Sequence, residues 1–158
     1  MGYIESGKKE GAEILTGGKR VGEKGFVSEP TVVVNVQNEM KIAQEEKFGP
    51  VVAVIKFDDD NEAIKIANDS IYGLGGAVWS SDSERAMNIA KKLKTGTVWI
   101  NEYHLLSDRA PFGGYKQSGI GREFGMDGLK EYTEVKHIHI DELKTRDKKP
   151  WFDTVVPK

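Results

Sequence analysis

The sequence contains no cysteine among its 158 residues. This absence excludes a disulfide framework, a zinc-thiolate site, an iron–sulfur cluster and a catalytic thiol within these residues. Long hydrophobic runs are also lacking, since the longest purely aliphatic run covers only residues 51–55 and a membrane-spanning helix needs about 20 apolar residues. Residues 1–16 carry no basic-then-apolar pattern of a secretory signal, so we expect no membrane association and a cytoplasmic location.

A strong charge of one sign is the next missing feature, because the formal net charge is only -2. This near-neutral balance argues against a nucleic-acid partner or an anionic membrane surface. Hydrophobic residues make up 38% of the chain and charged residues 30%. The length and this composition predict one domain with a single core and a well-solvated surface.

The periodicity predicts alternating strands and helices. We expect a helix over residues 3–15, a loop or loose hairpin over 16–30, and strands over 31–36 and 51–57. A helix capped by Asp60 or Asn61 should follow, then a strand over 76–80 and a helix opened by a capping box of Ser81 and Glu84. Residues 97–100 read as a further strand, and the alternation of residues 135–140 predicts a last strand with one exposed face.

This order predicts an α/β fold with a layered parallel or mixed sheet. The strands at 51–57, 76–80 and 97–100 alternate with two helical segments, which implies two consecutive right-handed crossovers. Their continuous apolar character predicts helices on both faces of the sheet. Ligands in such sheets bind beyond the carboxyl ends of the strands, which places residues 101–106 near a possible site.

Two stretches resemble a phosphate-binding loop and a metal site but do not meet the sequence requirements of either. The glycine-rich stretch at residues 110–123 has Ile120 after Gly119, where a P-loop needs lysine, and Phe124 where a dinucleotide fingerprint needs its third glycine. A backbone loop with unusual dihedral angles is the better interpretation. His137 and His139 share a strand face but have no obvious third ligand, so we predict no metal site.

The stretch EEKFGPV, at residues 45–51, places a carboxylate and a phenyl ring two positions apart where a strand begins. Spacing alone favours a solvated Glu46 and a core Phe48. The chain also contains YGLGGAVWS, GTVWIN, PFGGYKQSGIGRE and GLKEYTEVK, in that order. Together these motifs resemble the carboxyl-terminal part of the NAD(P)-dependent aldehyde dehydrogenase family, with similarity from about residue 2 to about residue 140.

The resemblance implies roles for individual residues. Glu46 would accept hydrogen bonds from the ribose hydroxyls beside the nicotinamide of NAD or NADP, and Phe48 would pack near the nicotinamide. Lys47 departs from the usual aliphatic residue of the family. His104, Leu106 and Phe112 would lie in the wall of the aldehyde tunnel. Arg122 and Glu134 would form an ion pair near a subunit interface.

The resemblance also implies what this segment does not contain. The family uses a cysteine thiolate to attack the aldehyde, hydride transfer to the nicotinamide, and a glutamate-activated water to hydrolyse the thioester. Residues 1–134 resemble part of the catalytic domain, and residues 135–158 would form an oligomerisation strand and a polar tail. We therefore expect a truncated or split enzyme with no catalytic residue of its own, which binds no cofactor and is inactive alone.

Several partners and origins follow as expectations. A homo-oligomer is expected, because surface meant for the rest of the enzyme would be exposed. An amino-terminal aldehyde dehydrogenase polypeptide is the second expected partner, and it would restore activity. The alternative is a non-catalytic assembly or regulatory module that uses residues 135–140 to bind itself or full-length family members. A gene remnant or a boundary chosen by an experimenter would explain the short chain equally well.

Overall fold

The computed structural model describes residues 1–142, 145, 149, 151 and 155. It is a mixed α/β structure, as the sequence predicts. The helices are α1 (Gly2–Lys9), α2 (Lys41–Gln44), α3 (Asp60–Asn68), α4 (Ser83–Ala90) and α5 (Gly125–Lys130). The strands are β1 (Glu13–Thr16), β2 (Thr31–Val34), β3 (Val51–Ala53), β4 (Tyr72–Gly73), β5 (Gly75–Val78), β6 (Thr97–Ile100) and β7 (Tyr115–Lys116).

The main core lies between α1, α2 and one face of the three-stranded sheet β1–β2–β3. Strand β2 pairs antiparallel with β1 and parallel with β3. Val33 of β2 and Ile42 of α2 are completely buried there, and both belong to one cluster of buried residues: Ala12, Val33, Val36, Met40 and Ile42. The opposite face is open, since Val52 of β3 is 58% exposed. The sequence predicts helices over both faces, but the described helices pack on only one face of this sheet.

The second parallel pair, β5 and β6, is joined through α4. Its register pairs Gly75 with Thr97 and Val78 with Ile100, and α4 buries Ala86 completely. This is one of the two predicted crossovers. The other is wrong, because β3 pairs with β2 through the short helix α2 and does not join β5. A local apolar pattern marks a strand but does not specify its neighbour.

The helix caps differ from the predicted ones by one residue. Asp59, not Asp60 or Asn61, caps α3 by accepting hydrogen bonds from the backbone N–H groups of the second and third following residues, at 2.8 and 2.9 Å. Asp82, not Ser81, caps α4 by accepting from the Arg85 N–H at 2.9 Å. Both cap residues have the extended backbone that an N-cap requires. The carboxylate of Asp60 is instead bound in two places by the Arg85 guanidinium.

Residues 68–70, at the end of α3, which we call the α3 end loop, connect α2, the segment before β6 and strand β7. The Gln44 side-chain amide donates to the Asp69 carbonyl at 2.9 Å and ties the loop to α2. Asn68 donates to the Lys92 carbonyl at 2.9 Å and accepts from the Lys94 N–H at 2.7 Å, next to β6. The Lys116 ammonium on β7 donates to the Asn68 and Ser70 carbonyls. The α3 end loop therefore connects β7 with α2, which packs on the first sheet, and with the segment that leads into β6.

Three further expectations need correction. The amino-terminal helix ends at Lys9, and residues 13–15 belong to β1, since Gly11 adopts a positive φ of 98° that ends the helix. Residues 135–140 are in no strand, because no neighbouring strand is paired with them. The rest of the predicted tail lies partly outside the described residues. The predicted ion pair of Arg122 with Glu134 does not form: the guanidinium donates to the Gly114 and Gly121 carbonyls.

Candidate functional site

The stretch from Glu45 to Phe48 follows the end of α2 and belongs to no helix or strand. Glu45 itself is extended, with φ -93° and ψ 146°. The Glu46 side chain is exposed, Lys47 is half-buried, and Phe48 is 96% exposed. Phe48 is therefore not the core aromatic that spacing alone favours; with Glu46 it forms an open acid-and-aromatic surface.

Hydrogen bonds from the side chains of Tyr3 and Lys47 hold the start of this stretch in place. The Tyr3 hydroxyl of α1 donates to the Glu45 carboxylate at 2.9 Å, and this hydrogen bond raises the pKa of Tyr3 above its ordinary value. The Lys47 ammonium turns back and donates to the carbonyls of Ile42 and Glu45. Partial burial lowers the pKa of Lys47. Glu46 therefore lies between Glu45, which Tyr3 binds, and Lys47, which binds the end of α2.

A cavity of about 530 Å³ opens beside Glu46. Its walls come from the end of α2, the end of α3, β4, the start of β5 and the segment after β7. Most wall residues are acidic, hydroxyl-bearing or small: Ala43, Glu45, Glu46, Ala67, Ser70, Tyr72, Gly73, Gly75, Thr95 and Ser118. The Ser118 hydroxyl accepts a hydrogen bond from the Gly73 N–H at 2.9 Å and joins two of these walls. Such a lining suits a ligand rich in hydroxyl groups.

His104 lies in an aromatic cluster just after β6. Its ring stacks on Trp99 at a centroid distance of 6.3 Å and lies 5.6 Å from the ring of Tyr103. His104 has a positive φ of 64°, a conformation that few side chains adopt without a local constraint. The Trp99 indole N–H donates to the Leu105 carbonyl at 2.8 Å. This bond folds the loop back on the strand and holds the neighbouring Leu106 at the surface.

Phe112 stands at a different wall. Its backbone exchanges two hydrogen bonds of 2.8 Å with Glu123, and its half-buried side chain lines a second cavity of about 390 Å³. Leu74 and Ser118 line both this cavity and the one beside Glu46, so the two spaces adjoin. His104 and Leu106 line neither of them. The structure thus brings Glu46 and Phe112 to neighbouring spaces and leaves Phe48, His104 and Leu106 on exposed segments.

Sequence reasoning missed Thr95, Gln117 and Ser118 as cavity residues. Thr95 and Ser118 stand beside glycines, which is a turn signal and does not indicate a wall. Their position depends on the pairing of β4 with β7, which lie far apart in the sequence. Among the residues that the structure describes, no group of three or more His, Cys, Asp or Glu side chains could hold a metal ion. Within the same residues, no helix is long and apolar enough to cross a membrane.

Comparison with known proteins identifies the family. The model of the aldehyde dehydrogenase family matches residues 1–138. The chain therefore belongs to the aldehyde dehydrogenase family. A betaine aldehyde dehydrogenase of Bacillus subtilis is 50% identical over 160 aligned positions, which cover 96% of this chain and 31% of that protein. An aldehyde dehydrogenase of Emericella nidulans is 52% identical and covers 88% of this chain and 28% of that protein.

Solved structures agree with the sequence comparison. Betaine aldehyde dehydrogenase of Staphylococcus aureus, in complex with NAD⁺, superimposes with a TM-score of 0.83 at 55% identity, over 87% of this chain and 28% of that one. An NAD⁺ complex of a Bacillus cereus aldehyde dehydrogenase gives a TM-score of 0.82 at 55% identity, over 85% and 28%. The chain therefore spans less than a third of the length of these relatives.

Proposed function

We propose that these 158 residues supply the carboxyl-terminal part of the catalytic domain of an NAD(P)-dependent aldehyde dehydrogenase. The observation that carries the proposal is the position of Glu46. Within a chain that belongs to this family, its exposed carboxylate borders a cavity with several hydroxyl-bearing residues in its walls. The relatives are named as NAD⁺ complexes, which makes NAD the first cofactor to test.

Glu46 and Phe48 are the proposed cofactor residues. An ionised carboxylate only accepts hydrogen bonds, so Glu46 can accept one from each of the two hydroxyl groups of the nicotinamide ribose. Phe48 presents an almost fully exposed ring. In the assembled enzyme this ring would pack near the nicotinamide and keep water from it. Exposure of a large aromatic side chain fits a surface that is meant to be covered.

The proposed aldehyde wall contains His104, Leu106 and Phe112. Phe112 borders the cavity that adjoins the space beside Glu46, so a substrate at Phe112 would lie close to the cofactor. The names of two relatives make betaine aldehyde the first substrate to test. We place the protein in the cytoplasm, in line with its sequence.

We further propose that these residues do not oxidise aldehydes alone, because the chemistry of the family needs a thiolate and the segment has no cysteine. The test is a chimera in which residues 1–138 replace the matched segment of the Bacillus subtilis relative. The chimera should reduce NAD with betaine aldehyde, while the isolated 158-residue chain should not. A chimera that folds, as judged by its circular dichroism and gel filtration, but stays inactive would overturn the proposal.

Glu46 is tested in the same chimera. Glu46→Gln keeps the size of the side chain but weakens its acceptor strength. Hydrogen bonds to charged groups contribute about 1.5–3 kcal/mol, so the KM for NAD should rise about 10- to 100-fold. Glu23→Gln, at an exposed position far from the cavity in the sequence, is the matched control and should leave the KM unchanged. An unchanged KM in Glu46→Gln would remove Glu46 from the cofactor site.

A non-catalytic assembly module is the second candidate function. It is favoured by residues 135–140, where Val135, Ile138 and Ile140 are exposed and the backbone has no strand partner. Such a segment could add a strand to the sheet of another copy or of a full-length family member. The chimera separates the two functions, since an assembly module that replaces the matched segment of the relative would not restore its activity.

A further inference from the structure

Lys47 is the one residue of the EEKF stretch whose side chain points inward. Its ammonium donates to the carbonyl of Ile42 at 2.5 Å and to that of Glu45 at 3.4 Å. Ile42 is completely buried in the main core. The ammonium therefore connects the exposed stretch directly to a residue of the buried core.

The Ile42 carbonyl is available because α2 ends after a single turn. The last helical hydrogen bond runs from the Glu45 N–H to the Lys41 carbonyl, so the next carbonyl, that of Ile42, has no helical donor. A lysine side chain that follows the helix can supply the missing donor. Lys47 does so from the segment that follows and fixes the direction in which the chain leaves α2.

Fixing Lys47 also fixes its two neighbours. Glu46 and Phe48, on either side of the inward-pointing Lys47, are both exposed. Free rotation of the stretch would present the carboxylate and the ring in many directions, at an entropic cost to any ligand that needs both.

Stability alone does not explain a lysine at this position. Lys47 forms none of the ion pairs found among the described residues, and its ammonium is partly removed from water, which lowers its pKa. A methionine of similar length would fill the same space without the desolvation cost of a charge. What methionine lacks is the directed pair of hydrogen bonds to Ile42 and Glu45.

We infer that Lys47 is a positioning residue, which anchors the end of α2 so that Glu46 and Phe48 face one cofactor surface together. The inference rests on the proposed function, because it takes the cofactor as the ligand of both side chains. Lys47 does not touch the ligand in this arrangement. It acts through the orientation of its two neighbours.

The test compares Lys47→Met with the matched control Lys56→Met, which removes the same charge from an exposed position. In the 158-residue chain, amide exchange and ¹⁵N relaxation should show faster exchange and greater motion at residues 46–48 in Lys47→Met only. In the chimera, Lys47→Met should raise the KM for NAD about tenfold, the equivalent of one to two lost hydrogen bonds, with a smaller change in kcat. Lys56→Met should leave both measurements at wild-type values.

The outcomes distinguish the positioning role of Lys47 from the proposed cofactor role of Glu46 and Phe48. If amide exchange and motion at residues 46–48 are unchanged in Lys47→Met, the positioning role of Lys47 is wrong. If the motion increases but the KM for NAD is unchanged, Lys47 positions the stretch, and the proposed cofactor role of Glu46 and Phe48 is wrong. If Lys47→Met does not fold, hydrogen exchange of the Lys47 ammonium is measured in the wild-type chain from its lysine ¹⁵Nζ signals. A slowly exchanging Lys47 ammonium supports the anchor, and exchange as fast as that of Lys56 rejects it.

Discussion

Gly96 shows how one missing side chain allows two sheets to meet. Its N–H donates to the Gly73 carbonyl of β4 at 3.0 Å, and a Cβ at this position would collide with the Gly113 carbonyl oxygen. Backbone from three segments therefore converges where only hydrogen can fit. The Thr95–Gly96 pair is visible in the sequence as a helix stop, but its contact with Gly113 is not, because that residue approaches only in the folded chain.

Gly96→Ala should destabilise the chain by about 1–3 kcal/mol, as overpacking does, because neither neighbouring backbone can move aside freely. Gly49→Ala is the matched control. A Cβ at Gly49 meets nothing within 4 Å, so the change should stay within about 0.5 kcal/mol. Urea unfolding followed by circular dichroism measures both. Equal stability of the two variants would show that the contact at Gly113 relaxes without cost.

The site residues were predictable to different degrees. Glu46 and Phe48 stand out as a carboxylate and a ring beside a Gly-Pro turn, and the resemblance of the surrounding motifs gives them a role. The inward direction of Lys47 was not predictable, because it depends on the early end of α2 and on the burial of Ile42. The stacking of His104 on Trp99 likewise depends on a positive φ that no local pattern requires.

Helices α3 and α4 are connected through the ion pair of Asp60 and Arg85. The guanidinium binds both carboxylate oxygens, at 2.9 and 2.6 Å. The sequence predicts Asp60 or Asn61 as the cap of α3. Asp59 takes the cap because its backbone is extended, and Asp60 is left for Arg85. Local propensity predicts both helices, but the ion pair of Asp60 depends on Arg85, which lies on the other helix.

This ion pair gives the stability of the chain a defined pH dependence. The hydrogen bond from Arg85 lowers the pKa of Asp60 below its ordinary 3.8. The unfolded state therefore binds the proton more readily, so the contribution is present above the ordinary pKa and is lost as the pH falls through the lower, folded-state value. Arg85→Met should lower the Tm at pH 7, and this difference from wild type should shrink on acidification below 3.8.

Lys91→Met provides the control for Arg85→Met, since it removes one positive charge from an exposed position at the end of α4. Its Tm difference from wild type should show no comparable loss in the same acid range. The midpoint of thermal unfolding, measured by circular dichroism from neutral to acid pH, checks both variants. A constant difference between Arg85→Met and wild type at every pH would contradict the role of Asp60.

The whole chain exposes far more surface than a compact protein of its size. Its accessible surface is 12519 Å², whereas a folded monomer of 17.6 kDa is expected to expose about 8,000 Å². Large exposed apolar side chains along the chain contribute to this excess, among them Val52, Phe57, Trp79 and Leu105. Sequence patterns predicted strands buried on both faces, and the described residues supply cover for only one face of the first sheet.

The open faces predict self-association of the isolated chain. Burial of apolar surface stabilises a complex by about 25 cal/mol for each Å² removed from water, so contact between exposed faces should favour a dimer or a larger assembly. Light scattering coupled to gel filtration, at micromolar concentration, should give a mass above 17.6 kDa. A monomeric mass under these conditions would mean that the exposed apolar side chains do not form a common surface.

The α3 end loop has a consequence for the way the chain unfolds. The two-stranded sheets are too small to persist alone in water. The hydrogen bonds of Gln44, Asn68 and Lys116 connect α2, the segment before β6 and strand β7 to residues 68–70. Opening of the loop would break these connections together. Cooperativity in this molecule is therefore concentrated in a short polar connection outside the hydrophobic core, and the three sheets should melt in a single transition.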